Sequence, residues 1–447
     1  MIESTLKESI NANDETKEQI CLAKSDNPKV VIIGGGFGGL SLVKNLSKEN
    51  VQVILIDKNN FNQFQPLLYQ VATSGLEPDS IVFPFRKQIS NSKNVSFLMV
   101  TVETINTESK TIYTNNGFLS YDYLVIATGT ATNFFGNKNI EKHSIGLKNI
   151  RDSLNIRHKM LQNLERATIT SDAKEKEALT NFVIVGGGPA GVEMAGALAE
   201  FRKYILPKDY PEYPPSIMKV YLIEGSGNLI ASMSEKASRK TLKYLQELDV
   251  TVILNEIVTD YDGHKAVTKS GREILAKNLI WTAGVKGLLP NGINESHIVG
   301  GNRLRTNQFL EVEGLKNVFA IGDIAAIISS ETPKGHPQVA QPAIQQGKLL
   351  AKNLMNAINH KTLLPFHYKD KGSLATIGKK KAVADIANYK FAGYFAWLLW
   401  SLVHLFSIIG FRNRLLVGLN WTISYFSYEK SNRIIIREYN NDDVDSQ

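Results

Sequence analysis

Residues 29–59, KVVIIGGGFGGLSLVKNLSKENVQVILIDKN, decide the fold of this chain. An apolar run typical of a buried parallel strand is followed by Gly34, Gly36 and Gly39 in the spacing GxGxxG. Apolar residues at helical spacing come next, and then a second strand that ends at Asp57. Such glycines let the backbone approach a pyrophosphate at a helix N-terminus, and the acid can bind a ribose. The stretch predicts a dinucleotide-binding βαβ unit, with a structural glycine turn in another α/β fold as the alternative.

The same pattern occurs a second time, in residues 181–201, NFVIVGGGPAGVEMAGALAEF. Its glycines are Gly186, Gly188 and Gly191, and Glu224 ends the returning strand. A carboxylate at that strand end, with no arginine directly after it, would repel a 2′-phosphate. The second site is therefore predicted to prefer NAD(H) over NADP(H).

Composition excludes several classes of function. The 447 residues carry a net charge of +8, but no basic stripe carries interleaved aromatic residues, so nucleic-acid binding is not expected. The eight histidines and the single Cys21 show no metal-ligand spacing, and no disulfide can form within the chain. Residues 1–27 lack the apolar core of a signal peptide and are predicted to be a disordered tail.

Two further segments connect the repeated motif to a known superfamily. SYDYLVIATGT (120–130) is a strand ending in an Ala-Thr-Gly turn, and LEVEGLKNVFAIGDIA (310–325) ends a strand in Gly-Asp. With these segments, and with LIWTAGV (279–285), the chain resembles the flavoproteins that have two dinucleotide-binding domains. The resemblance implies that the first motif, the Ala-Thr-Gly turn and the Gly-Asp turn serve non-covalent FAD, and that the second motif serves NADH.

The cysteine count narrows the choice within that superfamily. Disulfide reductases need a redox-active cysteine pair, and sulfide:quinone oxidoreductases need cysteines that carry sulfur. Cys21 is the only cysteine and lies in the polar leader, so both classes are excluded. The electron acceptor is then a quinone, a ferredoxin-like protein or oxygen.

Residues 61–86, FNQFQPLLYQVATSGLEPDSIVFPFR, and 338–355, QVAQPAIQQGKLLAKNLM, favour the quinone. Both closely resemble stretches of the type II NADH dehydrogenases, which are single-subunit NADH:quinone oxidoreductases that do not pump protons. The resemblance implies that Gln341 and Gln345 line the quinone slot beside the flavin. The alternative for Gln341 is a residue that caps backbone groups at a helix start. One departure is Asn62, where we would expect a histidine.

The resemblance assigns the remaining site residues group by group. Those predicted for FAD are Gly34, Gly36, Gly38, Gly39, Asp57, Lys58, Gln65, Pro66, Leu67, Ala127, Thr128, Gly129, Gly322, Asp323, Ala340 and Gln341. Those predicted for NADH are Gly186, Gly188, Pro189, Ala190, Gly191, Glu193, Glu224, Ala283 and Gly284.

Charged residues near these motifs have two interpretations each. Glu193 lies two residues after the third glycine of the second motif, and the resemblance implies that it positions NADH and handles protons. The alternative is a carboxylate that only complements the positive end of its helix. Lys379, Lys380 and Lys381 could supply a proton to reduced quinone or contact lipid phosphates; the alternative, favoured for at least two of them, is a solvated charge run.

The C-terminal region contains an uncharged stretch, FAGYFAWLLWSLVHLFSIIGF (391–411), long enough to span a bilayer. Ser401, His404 and Ser407 place a polar stripe on it, and basic residues flank both ends. A second apolar stretch, 415–428, is too short to span. We therefore expect two amphipathic helices lying in the membrane plane; the resemblance agrees. A spanning helix and a buried core helix are the alternatives.

The predicted fold class is α/β, with two Rossmann-like dinucleotide-binding domains and a C-terminal membrane-anchoring helical region. The predicted boundaries are 1–27 (tail), 28–145 and 288–365 (FAD domain), 146–287 (NADH domain) and 366–447 (membrane anchor).

The resemblance implies a respiratory-chain enzyme in which hydride passes from NADH to FAD and two electrons then pass to membrane quinone, menaquinone or ubiquinone. It also implies a homodimer that contacts membrane lipids on the cytoplasmic face of the inner membrane. The rival functions are a soluble NADH-dependent reductase of a ferredoxin-type protein and a non-enzymatic NADH/flavin redox sensor.

Overall fold

The computed structural model describes residues 18–427 and 432–439, which form two compact units. Unit 1 contains the described residues up to Asn62, then Phe83–Ala131 and Val285–Asp370. Unit 2 contains Gln63–Val82, Thr132–Gly284 and the described residues from Lys371 onward. The predicted first FAD segment, 28–145, is therefore divided: its residues 63–82 and 132–145 group with unit 2.

The strands are numbered in chain order. They are β1 (Lys29–Ile33), β2 (Gln52–Asp57), β3 (Phe61–Gln63), β4 (Val82–Pro84), β5 (Val95–Met99), β6 (Val102–Asn106), β7 (Thr111–Thr114), β8 (Gly117–Ser120), β9 (Tyr123–Ile126), β10 (Thr130–Thr132), β11 (Ile145–Gly146), β12 (Phe182–Val185), β13 (Val220–Ile223), β14 (Thr251–Ile253), β15 (Val258–Tyr261), β16 (Lys265–Thr268), β17 (Glu273–Leu275), β18 (Asn278–Trp281), β19 (Val285–Gly287), β20 (Ile298–Val299), β21 (Arg303–Thr306), β22 (Val318–Ala320), β23 (Ala325–Ile327), β24 (Ser373–Gly378), β25 (Lys381–Ile386) and β26 (Tyr389–Ala392).

The α-helices are numbered in the same way, and short 3₁₀ turns lie between them. The helices are α1 (Phe37–Leu46), α2 (Leu68–Ala72), α3 (Phe85–Ile89), α4 (Lys138–His143), α5 (Ile150–Ile169), α6 (Ala173–Thr180), α7 (Pro189–Tyr204), α8 (Leu206–Asp209), α9 (Glu235–Glu247), α10 (Ala340–Ile358), α11 (Tyr394–Ser407) and α12 (Phe411–Ser427). The 3₁₀ turns are Gln65–Leu67, Pro78–Ser80, Pro215–Ile217, Glu295–His297 and Gly322–Ile324.

Unit 1 is built on a parallel sheet with the strand order β22-β9-β1-β2-β5. Successive residues of β1 enter different cores because side chains alternate along a strand. Val30 and Ile32 pack against α1 and α10, while Val31 and Ile33 pack on the other face against the antiparallel sheet β6-β7-β8. Burial on both faces explains why β1 reads as an uninterrupted apolar run.

Unit 2 repeats this plan with the parallel sheet β11-β18-β12-β13-β14. Ile145 pairs with Ile280 in this sheet, which accounts for the grouping of the residues just before 146 with unit 2. A hairpin, β24 and β25, and a third strand, β26, form an antiparallel sheet in the same unit. Gly196 of α7 allows β24 to come close, because a Cβ there would overlap the carbonyl oxygen of Ile377.

The uncharged stretch 391–411 is not one helix, so the predicted bounds of the first membrane helix are wrong. Its first residues belong to β26, and α11 starts only after Gly393, whose φ is 92°. Ile408 is extended and Gly410 has a φ of 89°, after which α12 begins. Left-handed backbone at a glycine ends a helix easily, because no Cβ opposes it. Two glycines that a hydropathy scan passes over therefore divide the stretch.

Part of the predicted N-terminal tail lies against unit 1. The Ile20 N–H donates to the Phe118 carbonyl oxygen at 2.8 Å, and the Gln52 side chain donates to the Ala23 carbonyl oxygen at 2.7 Å. Cys21 lies in this segment and is exposed. The expectation of disorder therefore does not hold for residues 18–27, while residues 1–17 lie outside the described residues.

Candidate functional site

The first glycine loop joins β1 to α1 in unit 1. Gly34 has a φ of 103°, and a Cβ at Gly39 would overlap the Gly34 carbonyl oxygen. The Gly35 N–H donates to Asp57 Oδ2 at 2.8 Å, and the Asn59 N–H donates to Oδ1, also at 2.8 Å. Burial raises the pKa of Asp57, and these two N–H groups oppose that rise. Oδ1 also accepts from the Asn59 side chain at 3.5 Å, but Oδ2 keeps a further lone pair, so the acid that holds the loop can still accept a ribose hydroxyl.

The Ala-Thr-Gly and Gly-Asp turns come after the neighbouring strands β9 and β22 of the same sheet, so both predicted FAD segments meet the glycine loop at one sheet edge. Thr128 Oγ1 is buried and has no hydrogen-bond partner among the described residues. Thr130 Oγ1 donates to Asp323 Oδ2 at 3.3 Å. No described atom lies within 4 Å of a Cβ built at Gly36 or Gly129. The free space beside the backbone of Gly36 and Gly129, together with the unpaired buried hydroxyl of Thr128, could accommodate a dinucleotide such as FAD.

Helix α10 carries the predicted quinone residues, and its two adjacent glutamines point differently. Gln345 Nε2 donates to the Lys369 carbonyl oxygen at 2.9 Å and Oε1 accepts from the Lys369 N–H at 3.0 Å. Gln346, which the sequence did not single out, is 2% exposed and accepts from the Gly322 N–H at 2.6 Å. One residue turns a helix by about 100°. The AQxAxxQ spacing from Ala340 falls on Gln346, so counting the spacing would have found it.

The second glycine loop, between β12 and α7 in unit 2, has the same geometry. Gly186 has a φ of 109°, and a Cβ at Gly191 would overlap its carbonyl oxygen. The Gly187 N–H donates to Glu224 Oε2 at 2.5 Å, and the Ser226 N–H donates to Oε1 at 2.8 Å. The predicted ribose acid therefore stands at the end of β13 and is already fixed in place.

A second glycine turn, Ala283-Gly284, comes after β18 of the same sheet, and Gly284 has a φ of 88°. A Cβ at Gly186 would lie 2.8 Å from the Ala283 nitrogen, so the loop and the turn touch. The Trp281 indole N–H donates to the carbonyl oxygens of Asn133 (2.9 Å) and Ala283 (3.0 Å). Both residues predicted in this turn thus lie at the same sheet edge as the second glycine loop.

Glu193 is the fifth residue of α7, just after its first turn, and is 8% exposed. The Thr376 N–H donates to its Oε1 at 3.4 Å. Burial raises the pKa of Glu193 to about 8, against the opposing effects of the Thr376 N–H and the nearby Trp400 indole. The buried Trp400 Nε1 completes no hydrogen bond of normal geometry to a described residue.

Glu193 lines a cleft that lies wholly within unit 2. The cleft has a volume of about 870 Å³, which includes the solvent at its open side. Its walls are formed by α2, α7, β24, α11 and α12. Aromatic rings dominate these walls: Trp397 stacks on Tyr425 with ring centroids 5.7 Å apart, and Trp400 lies 5.5 Å from Trp421. A buried carboxyl group in an aromatic cleft suits a flat, weakly polar ligand that also exchanges protons.

Comparison with known proteins agrees with this geometry. Residues 28–347 match the pyridine nucleotide-disulphide oxidoreductase family model, and residues 370–427 match that of the NDH2 C-terminal domain. Two proteins of Mycobacterium tuberculosis named type II NADH:quinone oxidoreductase are 36% and 34% identical, each over 89% of this chain and 87% and 88% of their own length. The chain belongs to the type II NADH:quinone oxidoreductases. The solved structure of NDH2 from Plasmodium falciparum in complex with NADH has the same fold, with a TM-score of 0.83 at 24% identity, over 92% of this chain and all of that one.

The remaining predicted residues of this oxidoreductase have defined positions, and their cofactor contacts stay predictions. Gln65–Leu67 form a 3₁₀ turn of unit 2, in which Gln65 is exposed and Leu67 is buried. Lys58 is exposed after β2, while Gly38 packs against Ile321 and α10. Pro189 and Ala190 begin α7, and Ala340 and Gln341 begin α10.

Asn62 and the three lysines make contacts that the sequence did not predict for this type II oxidoreductase. Asn62 is buried, and its side chain donates to the Gly35 carbonyl oxygen at 3.0 Å, so it supports the first glycine loop. Lys381 pairs with Glu247 at 2.6 Å, and the side chain of Lys379 donates to the Tyr425 carbonyl oxygen. Both lysines are therefore anchored, and Lys380 lies over the Tyr425 ring.

Proposed function

We propose that this oxidoreductase takes electrons from NADH at the second glycine loop and delivers them, through FAD held at the first loop, to a quinone in the unit 2 cleft. The observation that carries the proposal is the coexistence of two matched dinucleotide loops and an aromatic cleft with the buried Glu193. FAD supplies the redox chemistry, since it can accept two electrons as hydride and release them to a quinone. The chain supplies binding, orientation and proton transfer.

The second loop selects and orients NADH. The N–H groups at the start of α7 face the pyrophosphate, and Glu224 faces the adenosine ribose. Gly187 and Ser226 hold both Glu224 oxygens, so the carboxylate cannot swing away from a 2′-phosphate without losing two charge-assisted hydrogen bonds. We therefore expect NADH to be strongly preferred over NADPH.

The cleft of unit 2 provides what a quinone headgroup needs. Its tryptophan and tyrosine rings can stack on a flat ring, as offset aromatic pairs do. With a pKa of about 8, Glu193 is mostly protonated at neutral pH and can give a proton to a reduced quinone oxygen at Oε1 or Oε2. Lys379 lies in the same wall, where its backbone N–H donates to Glu200 Oε1 at 2.6 Å and its side chain donates to the Tyr425 carbonyl oxygen. Gln341 and Gln345, which lie on α10 of unit 1, stay sequence-based predictions for the quinone.

We propose that α11 and α12 attach the enzyme to a membrane surface. Each helix has a row of large apolar side chains that unit 2 leaves exposed, with exposures between 39% and 81%: Phe395, Leu398, Leu402 and Phe406 on α11, and Phe411, Leu415, Leu419, Ile423 and Phe426 on α12. The opposite sides are buried at Trp400 and Val417. No helix within residues 18–427 or 432–439 is long and apolar enough to cross a membrane. A continuous apolar surface of this kind is suited to lie in the interface plane.

The predicted polar stripe of α11 does not oppose this placement. Ser401 and Ser407 donate to carbonyl oxygens four residues earlier, at 2.9 and 2.6 Å, and His404 Nδ1 lies 2.8 Å from the Trp400 carbonyl oxygen. Burial lowers the pKa of His404 to about 4, so the ring is neutral at pH 7. Polar groups that are already hydrogen-bonded cost little to bring into an apolar medium.

The activity is tested with the full chain by recording its flavin spectrum, titrating NADH without oxygen, and then adding water-soluble naphthoquinone or benzoquinone analogues. We expect the flavin to bleach with NADH and to recover with a quinone. Recovery only with a ferredoxin-type protein would favour the soluble reductase, and bleaching without turnover with any acceptor would favour the sensor. Either result would overturn the proposal.

Attachment is tested by flotation with lipid vesicles. Replacing Phe395 and Phe426 by glutamate should release the protein while its flavin content stays the same. Ile169→Glu, at an 86% exposed position on α5, is the matched control and should leave binding intact. Equal flotation of all variants would contradict a role for α11 and α12. The homodimer and the cytoplasmic face stay predictions, which light scattering and protease protection of sealed vesicles would test.

A further inference from the structure

Three side chains in the wall of the cleft form a hydrogen-bonded chain that no local sequence pattern predicts. The Trp421 indole N–H donates to Gln70 Oε1 at 2.7 Å, and Gln70 Nε2 donates to the Tyr69 hydroxyl oxygen at 2.8 Å. Trp421 belongs to α12, whereas Tyr69 and Gln70 belong to α2, so 351 residues separate the first pair in sequence. All three residues line the cleft.

The chemistry of Trp421 fixes the direction of every hydrogen bond in this chain. An indole N–H can only donate, so the carbonyl end of the Gln70 amide must face it. The NH₂ end of Gln70 then faces Tyr69, and the Tyr69 oxygen must accept. The orientation of an amide is otherwise ambiguous, but here a donor-only neighbour settles it. The hydroxyl hydrogen of Tyr69 is consequently left for another acceptor.

The hydrogen bonds of the described residues include no acceptor for the Tyr69 hydroxyl hydrogen. Tyr69 is 6% exposed. It lines the same cleft as Glu193; burial, together with the charge of Glu193, raises the pKa of Tyr69. The phenol therefore stays protonated, and a protonated, buried and oriented donor without a protein acceptor is suited to bind a ligand oxygen.

We propose that the Tyr69 hydroxyl donates a hydrogen bond to a carbonyl oxygen of the quinone, and that Gln70 and Trp421 are positioning residues that hold it in the donating orientation. The proposal rests on the proposed function, because it needs the quinone to occupy the unit 2 cleft. It also gives α12 a second role. The helix that carries an exposed apolar row on one side supplies the indole that sets the direction of a hydrogen bond inside the cleft.

The test uses three conservative variants of the full-length holoenzyme. Tyr69→Phe removes the donor, and Gln70→Glu places an acceptor-only group between Trp421 and Tyr69, which draws the Tyr69 hydrogen away from the cleft. Trp421→Phe frees the Gln70 amide to turn over, with the same consequence. Losing one neutral hydrogen bond corresponds to a roughly threefold to tenfold rise in the KM for quinone. The rate of anaerobic flavin reduction by NADH should not change in any of the three.

Double variants show whether Gln70 and Trp421 act by orienting the Tyr69 hydroxyl or only by packing in the wall of the cleft. If the three residues act as one chain, Tyr69→Phe with Gln70→Glu, or with Trp421→Phe, should raise the KM no further than Tyr69→Phe alone. Tyr121→Phe is the control, because Tyr121 is a buried tyrosine of unit 1 whose hydroxyl has no partner among the described residues; its kinetics should match the parent.

Two results would overturn the inference: an unchanged KM in Tyr69→Phe, or additive effects in the combined variants. Failure of the parent enzyme to react with any quinone would instead refute the proposed function, so the two failures are distinguishable.

Discussion

The glycine loops of unit 1 and unit 2 share one backbone design and differ in the helices that continue from them. Each begins with a glycine in the left-handed region, at φ 103° for Gly34 and 109° for Gly186. In each, the next glycine donates its N–H to an acid at the end of the second strand, Asp57 or Glu224. The difference appears two residues after the last glycine, where unit 1 has Ser41 and unit 2 has Glu193.

These two side chains connect the loops to different surroundings. Ser41 Oγ donates to the Ile344 carbonyl oxygen at 2.8 Å, so in unit 1 this position joins α1 to α10. Glu193 instead accepts from Thr376 of β24 and enters the aromatic cleft. In unit 1 this position therefore joins two helices of the same unit, while in unit 2 it lies in the wall of a cleft. Under the proposed function, the first arrangement would retain a cofactor and the second would connect two substrates.

The largest expected effect on ligand binding comes from filling the third glycine of either loop. Gly39→Ala and Gly191→Ala each place a Cβ onto a carbonyl oxygen of the same loop. Overpacking costs about 1–3 kcal/mol, and the upper end corresponds to roughly a hundredfold in affinity. We expect Gly39→Ala to lose flavin on purification, and Gly191→Ala to keep flavin with a KM for NADH raised by that factor. Flavin loss in Gly191→Ala alone would reverse the assignment of the two units.

The second prediction is that Glu193 makes the stability of the protein depend on pH, whereas Ser41, at the same position of the first loop, does not. Glu193 has a pKa of about 8 in the folded protein against its ordinary value of 4.5, so the folded state keeps a proton that the unfolded state has lost between these values. Its contribution is complete below pH 4.5, falls as the pH rises to about 8, and is constant above. Over that range the parent should lose on the order of 5 kcal/mol relative to Glu193→Gln in denaturant unfolding. Ser41 is the counterpart of Glu193 in unit 1, so the free energy of unfolding of Ser41→Ala should change with pH as that of the parent does. If the free energies of unfolding of Glu193→Gln and the parent had the same pH dependence, Glu193 would not be a buried acid with a raised pKa.

The strand-end acids give the third comparison. In Asp57→Asn and Glu224→Gln an amide replaces a carboxylate that accepts two backbone N–H groups. A hydrogen bond to a charged group contributes about 1.5 kcal/mol or more, which is roughly tenfold in affinity. Glu224→Gln should raise the KM for NADH by about that factor and narrow the preference over NADPH, whereas Asp57→Asn should weaken only flavin retention. If Glu224→Gln preferred NADH over NADPH as strongly as the parent does, repulsion between the Glu224 carboxylate and the 2′-phosphate would not explain the preference.

The smallest effect tests the two glutamines of α10. Gln346→Ala leaves the Gly322 N–H without its partner, which costs about 1 kcal/mol, or roughly fivefold in flavin retention on dilution. Gln345→Ala removes a half-exposed contact to Lys369 and should stay close to the parent. If Gln345→Ala instead raised the KM for quinone and Gln346→Ala did not, the sequence-based prediction for Gln345 would stand.

Local patterns predicted the loops well. Strand β1, helix α1 and the acid at the end of β2 are expected from apolar runs and glycine spacing, because each depends on neighbours in sequence. The second loop is predicted on the same grounds. The Gln70–Trp421 hydrogen bond and the packing of Gly196 on Ile377 escaped prediction, because each joins segments more than 150 residues apart. Nothing in the local sequence marks Gly196 as a close approach rather than an ordinary helix residue.

The C-terminal region shows where composition misleads. Gly393 and Gly410 contribute little to the mean hydropathy of residues 391–411. Their left-handed backbone nevertheless divides this stretch into the end of β26, helix α11 and the start of α12. The polar stripe was visible in sequence, but its neutralisation by carbonyl oxygens one turn earlier was not. The cost of placing a serine in an apolar medium depends on whether its hydroxyl is already hydrogen-bonded, and the residue type alone does not show this.

The back-bonded hydroxyls of α11 and α12 carry a consequence for lipid chemistry. Ser401, Ser407, Thr422 and Ser427 all donate within their own helix, so none needs a headgroup oxygen as a partner. Attachment should then depend on the area of acyl chain that the phenylalanine and leucine side chains cover, and hardly on which headgroup surrounds them. If α11 and α12 attach the protein as proposed, attachment should persist when the headgroup composition of the bilayer changes.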